Sequence, residues 1–272
     1  MDKPAADTLF TGSIPELYDT HLVPLIFAPY AADLAARAAA LEPARVLETA
    51  AGTGALTRAL AGALSAQAEL TATDLNPPML DRAMATGTAR PVRWQQADAM
   101  HLPFDDACFD LVVCQFGAMF FPDKAHAFAE SRRVLRPGGM LLFNVWDRIE
   151  HNEFADTVTT ALAGLFPADP PRFMARTPHG YADTALVARD LANAGFAMAP
   201  HIETIAARSR APSARVPAVA YCQGTLLRSE IEARAGADLA EATSVCATAI
   251  AGRFGAGEVD AKIQAHIVMV RR

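Results

Sequence analysis

From Val46 onward, short apolar runs alternate with stretches of helical spacing, and that alternation restricts the chain to a parallel α/β sheet flanked by helices. Arg45 to Thr49 reads as the first strand, followed by the turn Ala50-Ala51-Gly52-Thr53-Gly54 and a helix from Ala55 to Leu64. A second strand, Ala68 to Thr73, ends at Asp74, and Pro77-Pro78 suit the first turn of a helix running to about Met84. Val92 to Gln96 is a third strand. Phe109 to Cys114 is apolar on both faces, as a central strand covered by helices requires. The spacing predicts a helix from Asp123 to Leu135, a turn at Arg136-Pro137-Gly138-Gly139 and a fifth strand from Met140 to Trp146. A helix from Ala182 to Ala194, closed by Gly195, precedes a sixth strand at Ile202 to Ala207, and Lys262 to Val270 is the last.

Three regions fall outside this alternation and predict helical cover: residues 1–43, 147–180 and 209–258. The first is an N-terminal cover, with an alanine-rich helix over about Pro24 to Ala40. The other two are substrate-side insertions in a main domain of residues 44–272. With 272 residues, 52% hydrophobic and 20% charged, the chain can bury a core without a metal or crosslinks. A net charge of -6 argues against a nucleic-acid partner, because a phosphate backbone is met by a basic face. Cys108, Cys114, Cys222 and Cys246 have no zinc-site spacing, and Cys108 and Cys114, in or beside one apolar run, read as reduced thiols, so no metal is expected. The N-terminus lacks a signal-peptide pattern, and no run of 18 uninterrupted apolar residues marks a membrane span, so the expected location is the cytoplasm.

The densest chemical signal is VLETAAGTGALTRAL, Val46 to Leu60. Gly52 and Gly54 lie between a strand and a helix, where a missing Cβ lets the backbone turn tightly and approach a ligand. The helix beyond presents unpaired N–H groups. Glu48, at the end of the strand, opposes a pyrophosphate in that position and favours a cationic amino group or an ordered water. Asp74 ends the second strand where an acid can grip ribose hydroxyls, and Asp98 follows the third. All three acids belong near the carboxyl edge of one parallel sheet.

In order and spacing, VLETAAGTG, TATDLNPPML, WQQADAMHLPFDDACFDLVVCQFGAMFF and ESRRVLRPGGMLLFNVW resemble the class I S-adenosylmethionine-dependent methyltransferases, in particular the branch containing the ubiquinone/menaquinone biosynthesis enzymes. The resemblance covers about residues 45–147. It implies a Rossmann-like seven-stranded sheet, mostly parallel with an antiparallel last strand, and S-adenosyl-L-methionine as cofactor. It assigns Glu48, Ala50 and Gly52 to the methionine part of the cofactor and Asp74 to the ribose. Leu75 and Met79 pack on the adenine, Asp98 and Ala99 contact its edge, and Gln115 and Phe116 lie beside the methyl-bearing end. Tyr18, in ELYD, corresponds to a tyrosine that covers the cofactor in many members. The family turn usually begins with glycine where this chain has Ala50, and alanine is expected there with a negative φ.

The implied reaction is methyl transfer to an O, N or C atom of a small, aromatic or lipophilic acceptor by in-line displacement. It depends mainly on alignment and desolvation. His151 and His179, in the region after the fifth strand, are the candidate general bases. His101, His126 and His266 read as structural or surface residues. A non-catalytic cofactor-binding or regulatory protein of the same fold is the alternative. A nicotinamide-dependent oxidoreductase is disfavoured, because GxGxxG is missing and Glu48 precedes the turn. The expected assembly is a monomer or homodimer.

Overall fold

The computed structural model describes residues 12–234, 236 and 238–272. By compactness the chain divides into two units: Ala28–Val145 with Tyr181–Ile205 and Ala265–Arg272, and the segment ending at Phe27 with Trp146–Gly180 and Ala206–Gln264. In chain order the helices are Ile14–Leu17 (α1), Ala28–Ala40 (α2), Ala55–Ala63 (α3), Pro77–Thr86 (α4), Lys124–Val134 (α5), Glu153–Leu165 (α6), Phe173–Arg176 (α7), Thr184–Asn193 (α8), Arg215–Gln223 (α9), Leu227–Glu232 (α10) and Leu239–Phe254 (α11). The strands are Arg45–Glu48 (β1), Glu69–Asp74 (β2), Arg93–Gln96 (β3), Phe109–Gln115 (β4), Leu135–Trp146 (β5), His201–Ala211 (β6) and Val259–Arg271 (β7).

These strands form one seven-stranded sheet in the order β3-β2-β1-β4-β5-β7-β6. The pairs from β3 to β5 are parallel. Strand β7 runs antiparallel to β5: Arg272 and the Gly138-Gly139 pair exchange backbone hydrogen bonds, and farther along the Asp147 N–H donates to the Gln264 carbonyl. The expected antiparallel last strand is therefore present. Both β6 and β7 are longer than their apolar runs suggest, since their ends carry the charged residues Arg208, Arg210 and Asp260, which pair with one another.

Strands β1 and β4 form the centre, with Val46, Leu47, Leu111, Val112 and Val113 fully buried. An apolar run without alternation buries both faces, and here it does. The expected turn at Arg136-Pro137-Gly138-Gly139 is an excursion within β5 rather than a break before it. Leu135 already pairs with Phe109, and the register then jumps so that Met140 faces Leu111. Gly138 takes φ +80°, which the excursion needs and a side chain resists. Asp123 and Asp183 cap α5 and α8 by accepting the N–H groups of His126 and Ala185.

In the other unit, α11 packs on α6 and α9. Between α1 and α2 lies a π-helical stretch, Tyr18–Phe27, and together they run as a 27-residue helix, Ile14–Ala40. Pro24 inside it has no N–H to give, which disturbs the regular α-helical ladder there. By length and composition this helix suffices to cross a membrane, but half of its most apolar window is buried inside the protein, as in a core helix.

The start of β1 depends on one carboxylate from β4. Asp110 Oδ2 accepts the N–H groups of Ala44 and Arg45 at 2.7 and 2.8 Å, while Oδ1 meets Arg136 Nε at 2.9 Å. Asp110→Ala leaves these donors without their charged acceptor and is expected to cost about 2–3 kcal/mol. Urea denaturation with an unchanged midpoint would show that the staple contributes nothing.

Candidate functional site

The site is built at the carboxyl ends of β1, β2, β3 and β4. Register places Glu48 beside Ala72 and Val113, and Asp74 beside Gln96, so the acids that end β1 and β2 share one edge of the sheet. Asp98 lies just beyond β3, with its loop tied back by the Ala97 N–H to the Asp74 carbonyl at 3.0 Å. Gln96 Nε2 also donates to the Leu75 carbonyl at 3.1 Å.

After β1 the backbone turns through a run of left-handed residues: Ala50 at φ +52°, Gly52 at +56° and Gly54 at +82°. Gly54 begins α3 without a side-chain cap, leaving the first N–H groups of that helix for other partners. The expectation of a negative φ at Ala50 is corrected here. The alanine is held left-handed, at a cost of roughly 1–2 kcal/mol relative to an ordinary conformation. Its methyl group has room because Gly117, after β4, has none. A Cβ placed on Gly117 would lie 2.4 Å from the Ala50 Cβ and 2.8 Å from Cys114 Sγ.

Glu48 is 1% exposed, and its Oε2 has no hydrogen-bond partner. Burial is the chief cause that pushes its carboxyl up to about 8, with the nearby Asp74 adding to the rise and Thr57 and Arg58 opposing it. Asp74 is engaged on both oxygens. Oδ2 accepts the Gly52 N–H and Oδ1 the Asn76 N–H, both at 2.8 Å. Burial leaves its pKa raised, against the lowering effect of those bonds. Oδ1 also takes the Asn76 Nδ2 at 3.4 Å, and Asp74 is thus a brace of the glycine turn as well as a candidate ribose acceptor, since a carboxylate offers about four acceptor sites in all.

Leu75 is 38% exposed, unusual for a large apolar residue next to a central strand, whereas Met79 is buried with its Cε 3.7 Å from a Cβ built on Gly52. Asp98 is partly exposed and accepts the Met100 N–H at 2.9 Å, and Ala99 follows it. Gln115 ends β4 half-buried, and Phe116 turns at φ +51° with its ring edge-on to Tyr30. Asn144 on β5 was not singled out from the sequence. Its Oδ1 accepts the Phe116 N–H at 2.9 Å and its Nδ2, fully buried, has no partner. The available signal was one amide inside the apolar run LLFNVW. Thr53 Oγ1, in the turn, is another buried polar atom without a partner.

The remaining candidates belong to the other unit. Tyr18 stacks on Phe27 with ring centres 5.0 Å apart. His151 is exposed at the end of a short 3-10 turn. His179 is buried, packs against Trp146, and holds the Asp147 carbonyl at 2.8 Å through Nδ1. A carbonyl only accepts, so Nδ1 carries the proton and Nε2 keeps its lone pair. Burial lowers the pKa of His179 to about 4.

Comparison with known proteins bears on the family and the fold. Residues 47–143 match the methyltransferase domain family. The demethylmenaquinone methyltransferase of Deinococcus radiodurans is 42% identical over 110 residues, 40% of this chain and 45% of that one. The ubiquinone/menaquinone biosynthesis C-methyltransferase UbiE of Ralstonia pickettii is 32% identical over 171 residues, 58% of this chain and 70% of that one. The solved structure of the YcgJ protein of Bacillus subtilis has the same fold, with TM-score 0.56 at 17% identity over 90% of this chain and 98% of that one. The match spans less than two thirds of some relatives, 45% of the Deinococcus enzyme and 64% of that of Ectopseudomonas mendocina. The chain belongs to the class I S-adenosylmethionine-dependent methyltransferases.

The residues present fit that cofactor. A buried carboxylate oxygen without a partner suits an amino-acid ammonium, and exposed Leu75 suits a nucleobase face. Left-handed Gly52 keeps the turn free of a side chain.

Two measurements follow. Because the folded-state pKa of Glu48 lies above its ordinary 4.5, its contribution to stability is fully present below about pH 4.5. It is lost as the pH rises toward 8, with a slope of up to about 1.4 kcal/mol per pH unit. Glu48→Gln should flatten that dependence, and parallel stability–pH curves for the two proteins would refute the assignment. Separately, Gly117→Ala should destabilise by about 1–3 kcal/mol through overpacking, and Ala50→Gly in the same chain should restore part of the loss. Strict additivity in that double-mutant cycle would mean the two positions do not touch.

Proposed function

We propose that this chain transfers the methyl group of S-adenosylmethionine to a small aromatic or lipophilic acceptor in the cytoplasm, without a nucleic-acid partner, as a monomer or homodimer. The observation that carries it is the buried, partnerless oxygen of Glu48 beside a left-handed glycine turn, an arrangement suited to a cationic amino acid and hostile to a pyrophosphate. When bound, the cofactor supplies a methyl carbon made electrophilic by its sulfonium sulfur. Glu48 and the turn at Ala50 and Gly52 would hold the amino-acid end. Asp74 would accept from the ribose, Leu75, Met79, Asp98 and Ala99 would hold the adenine, and Gln115 and Phe116 would border the methyl group.

The relatives' quinone-biosynthesis roles support an acceptor of quinol type, an electron-rich ring whose carbon or oxygen can attack. Such an acceptor gains from a group that takes its proton. Of the two candidate histidines, His179 fits that role in its neutral form, with Nδ1 fixed by a carbonyl and Nε2 unprotonated. Exposed His151 has no such fixed tautomer.

The test is transfer of a labelled methyl group to a panel of hydroquinones, phenols and amines, with cofactor affinity measured alongside. Transfer to at least one ring acceptor is expected. His179→Gln should lower kcat about 10²-fold or more with cofactor affinity unchanged, while His151→Gln should change neither. A protein that binds S-adenosylmethionine tightly and methylates nothing would be a binding or regulatory protein instead. Preference for a nicotinamide cofactor over S-adenosylhomocysteine would end the proposal altogether.

A further inference from the structure

One face of α5 is spent on the backbone of the loop that follows β3. His126, Glu130 and Arg133 lie at helical positions i, i+4 and i+7, which share a face. His126 Nε2 meets the Met100 carbonyl at 2.8 Å. Glu130 Oε2 accepts the Leu102 N–H at 2.9 Å. Arg133 donates to the carbonyls of Leu102 and Phe104 at 2.9 and 2.8 Å, and to Asp106 Oδ1 at 2.7 Å. It is itself clamped by both oxygens of Glu130, at 2.7 and 2.9 Å. Three side chains thus hold four backbone groups between residues 100 and 104, in a loop without ladder hydrogen bonds of its own beyond one isolated Asp98–His101 bridge.

The other end of the loop is tied as well, by the Ala97 N–H to the Asp74 carbonyl. Asp98 and Ala99 are the two residues between those ties. The Asp98 carboxylate also accepts the Met100 N–H, so a shift of Met100 moves Asp98 directly. A loop fixed at both ends presents its middle residues at one depth and angle, which is how a scaffold makes a loop selective. His126 therefore does more than the packing expected of it from the sequence.

We propose that His126, Glu130 and Arg133 are positioning residues that set the selectivity of the cofactor site for the nucleobase, through the placement of Asp98 and Ala99. This rests on the assignment of Asp98 and Ala99 to the adenine edge. Because His126 makes the outermost of these contacts and is the least entangled, His126→Ala is the variant most apt to stay folded. Arg133→Lys, which keeps the charge and loses the fork, gives an independent second variant.

The experiment is calorimetric titration of each variant with S-adenosylhomocysteine and with its inosine counterpart, which differs only at the base edge. Melting curves accompany each titration. For His126→Ala, affinity for S-adenosylhomocysteine should fall roughly three- to ten-fold, the worth of one hydrogen bond. Affinity for the inosine ligand should fall less, so the ratio between them narrows. His126→Gln, which can still donate, should recover part of that ratio. Glu48→Gln, acting on the amino-acid end, should weaken both ligands equally and leave the ratio alone. A folded His126→Ala or Arg133→Lys protein with an unchanged ratio overturns the proposal while leaving the methyltransferase assignment standing. Wild-type protein that binds neither ligand overturns both.

Discussion

Asp74 is the residue on which the architecture of the site turns. One carboxylate, at the end of β2, accepts from Gly52 in the turn after β1 and from Asn76 in the loop after its own strand. Parallel strands bring their carboxyl ends to one edge but leave the loops there without partners, because ladder hydrogen bonding stops where the strands do. A short acid at that edge can collect those loose N–H groups. Asp74 does so from within the protein, at the cost of a desolvated charge that its hydrogen bonds offset only in part. The ribose contact proposed for it and its structural duty would share the same two oxygens.

Glu48, only one strand away, is pushed in the same direction with less support. It is as deeply buried but lacks the backbone donors that would stabilise its charge, so the neutral acid is favoured in the absence of a cation. The two acids look alike in sequence, each the last or nearly last residue of an apolar strand. Their environments push them toward different chemistry. A carboxyl that awaits a positive charge acts as a selection device, since binding of an anion or a neutral group leaves its cost unrelieved.

Much of this was legible from the chain. The uninterrupted apolar runs at Val46–Leu47 and Leu111–Val113 declared the central strands, and Gly52 and Gly54 declared the turn after the first of them. Boundaries were less visible where charge masked a strand, as at Arg208 and Asp260, or where a strand carried an excursion, as at Arg136–Gly139. Asn144 escaped notice because one amide in an apolar run is indistinguishable from a tolerated core polar residue until its Phe116 partner is seen. The backbone sign at Ala50 was misjudged for a similar reason. Alanine is expected on the negative side of φ, and only the space left by Gly117, distant in sequence, explains why it is tolerated on the other.

That last pairing carries a historical consequence. With the Ala50 methyl in place, no side chain can enter at position 117, whereas a glycine at position 50 would remove the tighter of two clashes and leave Cys114 Sγ, at 2.8 Å, to give way. Relatives should therefore reach a larger residue at the second position only by first losing the methyl at the first. The order of substitution is constrained, and one side of the exchange acts as a ratchet: a lineage that has filled the second position cannot regain alanine at the first without passing through an overpacked intermediate. Two residues far apart in sequence would then be inherited as a unit.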